Sequence, residues 1–100
     1  MLHTINKSPF ERNSLQSCLA FARPGSAILL FEDGIYAALK GTRFDSTVTQ
    51  ALQKHNIYVL AYDLEARGMS AEKVIAGIRL TDYAGFVDLV TENNAVQAWL

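Results

Sequence analysis

Short runs of apolar and β-branched residues alternate with amphipathic stretches along the whole chain, and this alternation constrains the fold more than any single motif. The apolar runs are Met1–Ile5, Ala27–Phe31, Ile57–Ala61 and Ile78–Thr81, each read as a strand, and Val96–Leu100 adds a short edge strand. They are continuous runs and not strictly alternating ones, as expected of a parallel sheet covered by helices on both faces. The expectation is an α/β fold: one three-layer domain over residues 1–100, with a mostly parallel, flavodoxin-like sheet of four to five strands. Right-handed crossovers between consecutive βα units favour the strand order 2-1-3-4. That order puts a topological switch between the first and third strands, over a crevice lined by Asn6–Arg12 and Tyr62–Leu64.

The intervening stretches carry helix signals. Ser8-Pro9-Phe10-Glu11 spells a capping box, but Asn13-Ser14-Leu15-Gln16 offers a second cap. Leu15, Cys18, Leu19 and Ala22 follow it at i, i+3, i+4 and i+7. The later start is preferred, with Ser8–Arg12 as a loop over the sheet edge and Arg23-Pro24-Gly25 as the stop. A second helical region runs over Ile35–Leu39, breaks near Gly41 and resumes at Ser46–Lys54, with Val48, Ala51 and Leu52 facing the core. Leu64–Arg67 forms a turn closed by Gly68, and Ser70 caps another turn. Asp82 caps a last helix, Tyr83–Thr91, whose Phe86, Val87 and Val90 face the core.

Composition removes several functions. Nine basic and ten acidic residues give a net charge of −1 with no basic stripe, which leaves direct nucleic-acid binding without electrostatic support. The longest apolar run, Ile57–Tyr62, is far too short to span a bilayer, and Met1-Leu2-His3-Thr4 does not resemble a signal peptide, so a cytoplasmic location is the default. The six glycines never form a phosphate loop, so no nucleotide or flavin cofactor is expected. Half of the residues are hydrophobic. Since a domain of this size buries only about two thirds of its surface, a partner subunit is a natural place for the surplus.

Cys18, the single cysteine, is the sharpest chemical candidate. A thiolate can take up a sulfane sulfur as a persulfide and pass it on, given access and a lowered pKa. The competing role is a small apolar residue on the buried stripe of the first helix. Glu32, Asp33, Asp63 and Asp82 stand at strand ends, where a cation site could form, but each also precedes a predicted helix and is explained as a cap. His3 in a strand and His55 in a turn have no ligand partners at metal spacing, so no metal is expected. Trp99, near the end of the sequence, must pack against the core or a partner.

Three segments together resemble one family over all 100 residues: Met1-Leu2-His3-Thr4-Ile5-Asn6-Lys7-Ser8-Pro9-Phe10, Leu29-Leu30-Phe31-Glu32-Asp33-Gly34-Ile35-Tyr36-Ala37-Ala38, and Gln97-Ala98-Trp99-Leu100. They are similar to the DsrH/TusB family, the small subunit of bacterial sulfur-relay complexes. The resemblance implies two homologous sister subunits, of DsrE/TusD and DsrF/TusC type, in a dimer of heterotrimers. It also implies a small sulfur-acceptor protein of DsrC/TusE type, with the principal relay cysteine on a sister subunit. One branch of the family serves oxidation of stored sulfur and the other 2-thiolation of the tRNA wobble uridine. Cys18, within Ser17-Cys18-Leu19, together with Asn6-Lys7-Ser8-Pro9-Phe10-Glu11-Arg12-Asn13, looks closer to the oxidiser branch, and Cys18 would there be an auxiliary persulfide carrier. A purely structural subunit is the alternative.

Overall fold

A computed structural model describes residues 1–100. Five strands form one all-parallel sheet: β1 (Leu2–Ile5), β2 (Ala27–Leu30), β3 (Asn56–Leu60), β4 (Arg79–Thr81) and β5 (Val96–Trp99). Four α-helices connect them: α1 (Ser14–Phe21), α2 (Asp45–Ala51), α3 (Ala61–Ala66) and α4 (Tyr83–Glu92). Two 3₁₀ segments, Glu32–Ala38 and Ala71–Lys73, complete the connections. The expected α/β class and parallel sheet are present, with helices on both sides.

The strand order is 4-3-2-1-5, not 2-1-3-4. Each of the first three connections steps one strand in the same direction, and only the fourth reverses, carrying β5 back to the free side of β1. With right-handed crossovers this puts α1, α2 and α3 on one face and α4 alone on the other. The switch therefore lies between β1 and β5, and β2 fills the place beside β1 where the expected crevice called for β3.

The two faces are packed unequally. Ile5, Ile28, Leu30, Ile57 and Val59 project to the side of α1–α3 and join Leu15, Cys18, Ile35, Val48, Leu64 and Ile75 in the main core. Leu2, Ala27 and Leu29 project to the other side, where Leu89 and Phe86 of α4 cover them. Strand residues pointing both ways are thus buried, which accounts for the unbroken apolar runs of β1 and β2.

Helix boundaries follow the sequence signals at α1 and α4, whereas α3 starts at Ala61, three residues before the expected turn at Leu64 and on the last residue of the expected third strand. α1 begins at the later start after Asn13, although the Asn13 side chain makes no capping hydrogen bond. Asp82 does cap α4, its Oδ1 accepting the Gly85 N–H at 2.8 Å. Ser70 precedes its 3₁₀ turn without a side-chain cap bond. On α4, Leu89 and half-buried Phe86 face the sheet, whereas Val87 is 62% exposed and Val90 41%. The reversal of the chain places α4 so that its Val87–Val90 side looks outward.

Gly34 fixes how the 3₁₀ segment crosses the sheet. A β-carbon at this position would collide with the Ile5 carbonyl, so only glycine lets the segment lie against the end of β1. Glu32 enters the segment with φ 47°, in the left-handed region that non-glycine residues seldom occupy.

Candidate functional site

The carboxyl ends of β1, β2 and β3 gather Asn6, Glu32, Asp33, Asp63 and Arg67 at one rim. Asp63 lies inside α3, not at its cap, and is buried. Its Oδ2 accepts the Glu32 N–H at 2.6 Å, which holds the unfavourable Glu32 backbone in place. Arg67, one turn later, pairs with Asp33 at 3.0 Å and lies 3.7 Å from Asp63. Asn6 Nδ2 donates to Glu32 Oε1 at 3.2 Å, while Asn6 Oδ1 is sealed without a donor. The rim is therefore a network of ion pairs and hydrogen bonds that leaves one buried acceptor, Asn6 Oδ1, without a partner. No three His, Cys, Asp or Glu side chains are grouped to hold a metal ion. Sequence reasoning assigned Asp63 to a cap because its partner Glu32 is 31 positions away, beyond the reach of any local signal.

Beyond this network, the loop Ser8–Arg12 curls back on itself. Glu11 and Arg12 N–H groups both donate to the Ser8 carbonyl, and Ser8 Oγ accepts from Phe10 N–H. Phe10 packs edge-on against Phe44, with the Arg43 guanidinium 5.4 and 5.0 Å from the two ring centres. These contacts turn the loop toward α2. It does not line a crevice with Tyr62–Leu64.

Cys18 is in the second turn of α1 and has no solvent exposure. Its thiol sits in the main core with Leu15, and burial pushes its pKa up to about 12. No cation or hydrogen-bond donor offsets that burial, and the helix dipole acts mainly at the first turn. Persulfide carriage needs an accessible thiolate. In the folded chain Cys18 offers a protonated, enclosed sulfur.

His3 is the residue whose environment the sequence did not disclose. Nearly sealed in β1, it accepts a hydrogen bond at Nδ1 from the Trp99 indole Nε1 at 3.1 Å. Trp99 and Phe21 flank its ring at centroid distances of 6.2 Å each. Trp99 thus packs against this chain's own core, the first of the two placements expected of it.

Comparison with known proteins places this arrangement. The profile of the family described as DsrH like protein matches residues 7–96. The chain belongs to the DsrH/TusB family. It is 40% identical over 101 residues to Protein TusB of Erwinia tasmaniensis, covering 99% of this chain and all of that one. It is 34% identical over 99 residues to Protein TusB of Escherichia coli, with the same coverage. Among solved structures, the fold is similar to the ychN protein of Escherichia coli, with a TM-score of 0.82 at 16% identity, covering 97% of each chain. It is also similar to MTH1491 of Methanobacterium thermoautotrophicum, with a TM-score of 0.77 at 14% identity, covering 97% of this chain and 96% of that one. At these identities the two structures speak for the fold alone.

Proposed function

We propose that the chain is a TusB-type subunit of a cytoplasmic sulfur-relay assembly serving 2-thiolation of the tRNA wobble uridine, and that its part is structural. The observation that carries the pathway is the end-to-end identity of 40% with a TusB protein. The oxidiser branch, toward which Cys18 and the segment Asn6–Asn13 leaned, rests mainly on that cysteine, and the cysteine is enclosed. No helix is long and apolar enough to cross a membrane, in keeping with this reading.

In this role the chain joins TusC-like and TusD-like sister subunits in a dimer of heterotrimers that engages a TusE-like acceptor. Its own surface supports such packing. Tyr83, Val87 and Val90 recur at i, i+4 and i+7 on the outward side of α4, all exposed, and Tyr62 of α3 lies 6.0 Å from Tyr83 between ring centres. An apolar stripe of this kind on a single-layer covering helix is the mark of a surface meant for another protein. We assign it to a sister subunit. Cys18 then stabilises the interior, and a persulfide on Cys18 is the rival role.

The test is complementation. In a bacterium lacking its own TusB, this chain should restore 2-thiouridine in tRNA, read by mass spectrometry of nucleosides. Cys18→Ala should restore it equally well. Failure of the wild-type chain, although it is expressed and bound to the host sister subunits, would overturn the pathway; failure of Cys18→Ala alone would overturn the structural role.

A further inference from the structure

We propose that the end of the sheet opposite the acidic rim carries a binding site for a small oxyanion, formed by His3, Arg23 and the Pro24–Ser26 turn. A cavity of about 590 Å³ opens there, lined by Met1, His3, Phe21, Arg23, Pro24, Gly25 and Ser26. It is large enough for a small molecule and contains no acidic side chain.

The hydrogen-bond pattern of His3 defines what it offers. Because Nδ1 accepts from Trp99, the neutral imidazole carries its proton on Nε2. Nε2 has no protein partner, yet it is not among the sealed unpartnered atoms, which are Asn6 Oδ1 and His55 Nδ1. It therefore opens on the cavity whose wall His3 forms. A donor on a ring that is 1% exposed, held in one tautomer by an indole, is aimed and rigid.

The charge of the surroundings selects the ligand. Arg23 is exposed and lines the cavity, and its guanidinium has no carboxylate partner, since Arg67 makes the only two ion pairs of the chain. Lys54 is also free of ion pairs, and its carbonyl accepts the Gly25 N–H at 2.6 Å, so the α2–β3 turn closes against this end. An unpaired guanidinium and a fixed N–H donor on residues lining one cavity match an oxyanion, which can accept from both. Phe21 and Met1 supply an apolar wall, so either an inorganic oxyanion or the carboxylate of a small organic acid fits the same donors. The proposal is independent of the sulfur-relay reading, because none of its residues is on α4 and Cys18 is not among them.

The experiment uses the intact chain at pH 8, where His3 is neutral, at constant ionic strength. Inorganic phosphate and benzoate are titrated in turn, reading Trp99 fluorescence and the ¹⁵N shift of His3 Nε2. Trp99 is the only tryptophan, so the fluorescence reports this site. A saturable change with phosphate alone indicates an inorganic ligand, and with benzoate alone or more tightly, an organic acid; either supports the site. Arg23→Gln, a surface change, should weaken binding about tenfold, the effect of losing one charge-assisted hydrogen bond. No saturable change with either probe, or equal affinity in Arg23→Gln, would overturn the proposal.

Discussion

The indole N–H of Trp99 meets Nδ1 of His3 at 3.1 Å, joining residues 96 positions apart and tying the last strand to the first. β5 is paired on one side only. It is an edge strand, Val96, Gln97 and Ala98 are exposed, and β1 is its only strand neighbour. Replacing Trp99 by Phe keeps an aromatic side chain but trims the indole and leaves the buried Nδ1 without a donor, at a cost of about 1–2 kcal/mol or more. The urea midpoint followed by circular dichroism should fall accordingly, and amide exchange should quicken first in β5. An unchanged midpoint would show that the bond contributes nothing.

Acid should destabilise the chain through its two histidines. Burial, first, and neighbouring positive charge, second, lower the pKa of both His3 and His55 from the ordinary value of 6.5. The folded state therefore binds fewer protons than the unfolded one below pH 6.5, and stability falls as the pH drops through that value. It is fully present above it. The urea midpoint should be lower at pH 5.5 than at pH 7.5, and the difference should shrink in His3→Gln. A midpoint that rises on acidification would contradict this assignment.

The rim should tolerate almost no change at two residues. Asp63→Ala strips the Glu32 N–H and Arg67 of an acceptor, and about 2 kcal/mol of stability should be lost. Gly34→Ala forces a methyl group into the Ile5 carbonyl and should cost about 1–3 kcal/mol, as overpacking does. Both are measured as shifts in chemical-denaturation midpoint. A neutral Gly34→Ala variant would mean that the 3₁₀ segment does not rest on β1 in solution.

If α4 presents its outward stripe to a sister subunit, a charge there should break assembly and spare the fold. Val87→Lys is 62% exposed at its parent residue, so the isolated chain should keep its thermal midpoint nearly unchanged. Co-purification with TusC-like and TusD-like subunits should fall sharply. Undiminished assembly would move the interface elsewhere.

The legible parts of this molecule were those written in local pattern. Strands β1 to β3 are apolar on both sides, so they stand out as runs. Asn13 and Asp82 stand where helices start, and Asp82 caps as such a position predicts. Strand order was not legible, because right-handed crossovers permit both 2-1-3-4 and 4-3-2-1 and the spacing of residues does not choose between them. The inward face of α4 was misread for a related reason. Tyr83, Phe86, Val87, Leu89 and Val90 spread over about half of the helix circumference, so periodicity alone does not say which flank of that broad apolar face meets the sheet. The Asp63–Glu32 and Trp99–His3 contacts lie beyond local signals altogether. Cys18 was legible as a stripe residue beside Leu15, and its enclosure follows from that stripe facing the main core.

The central claim is that this chain belongs to a sulfur relay without carrying sulfur itself. Intact-mass spectrometry after exposure to a persulfide donor, on this chain with its two sister subunits, tests it most directly. The account predicts a one-sulfur gain on a sister subunit and none here, because the Cys18 thiol is enclosed and its pKa is pushed up to about 12. A one-sulfur gain on this chain in the native complex, lost in Cys18→Ser, would contradict it.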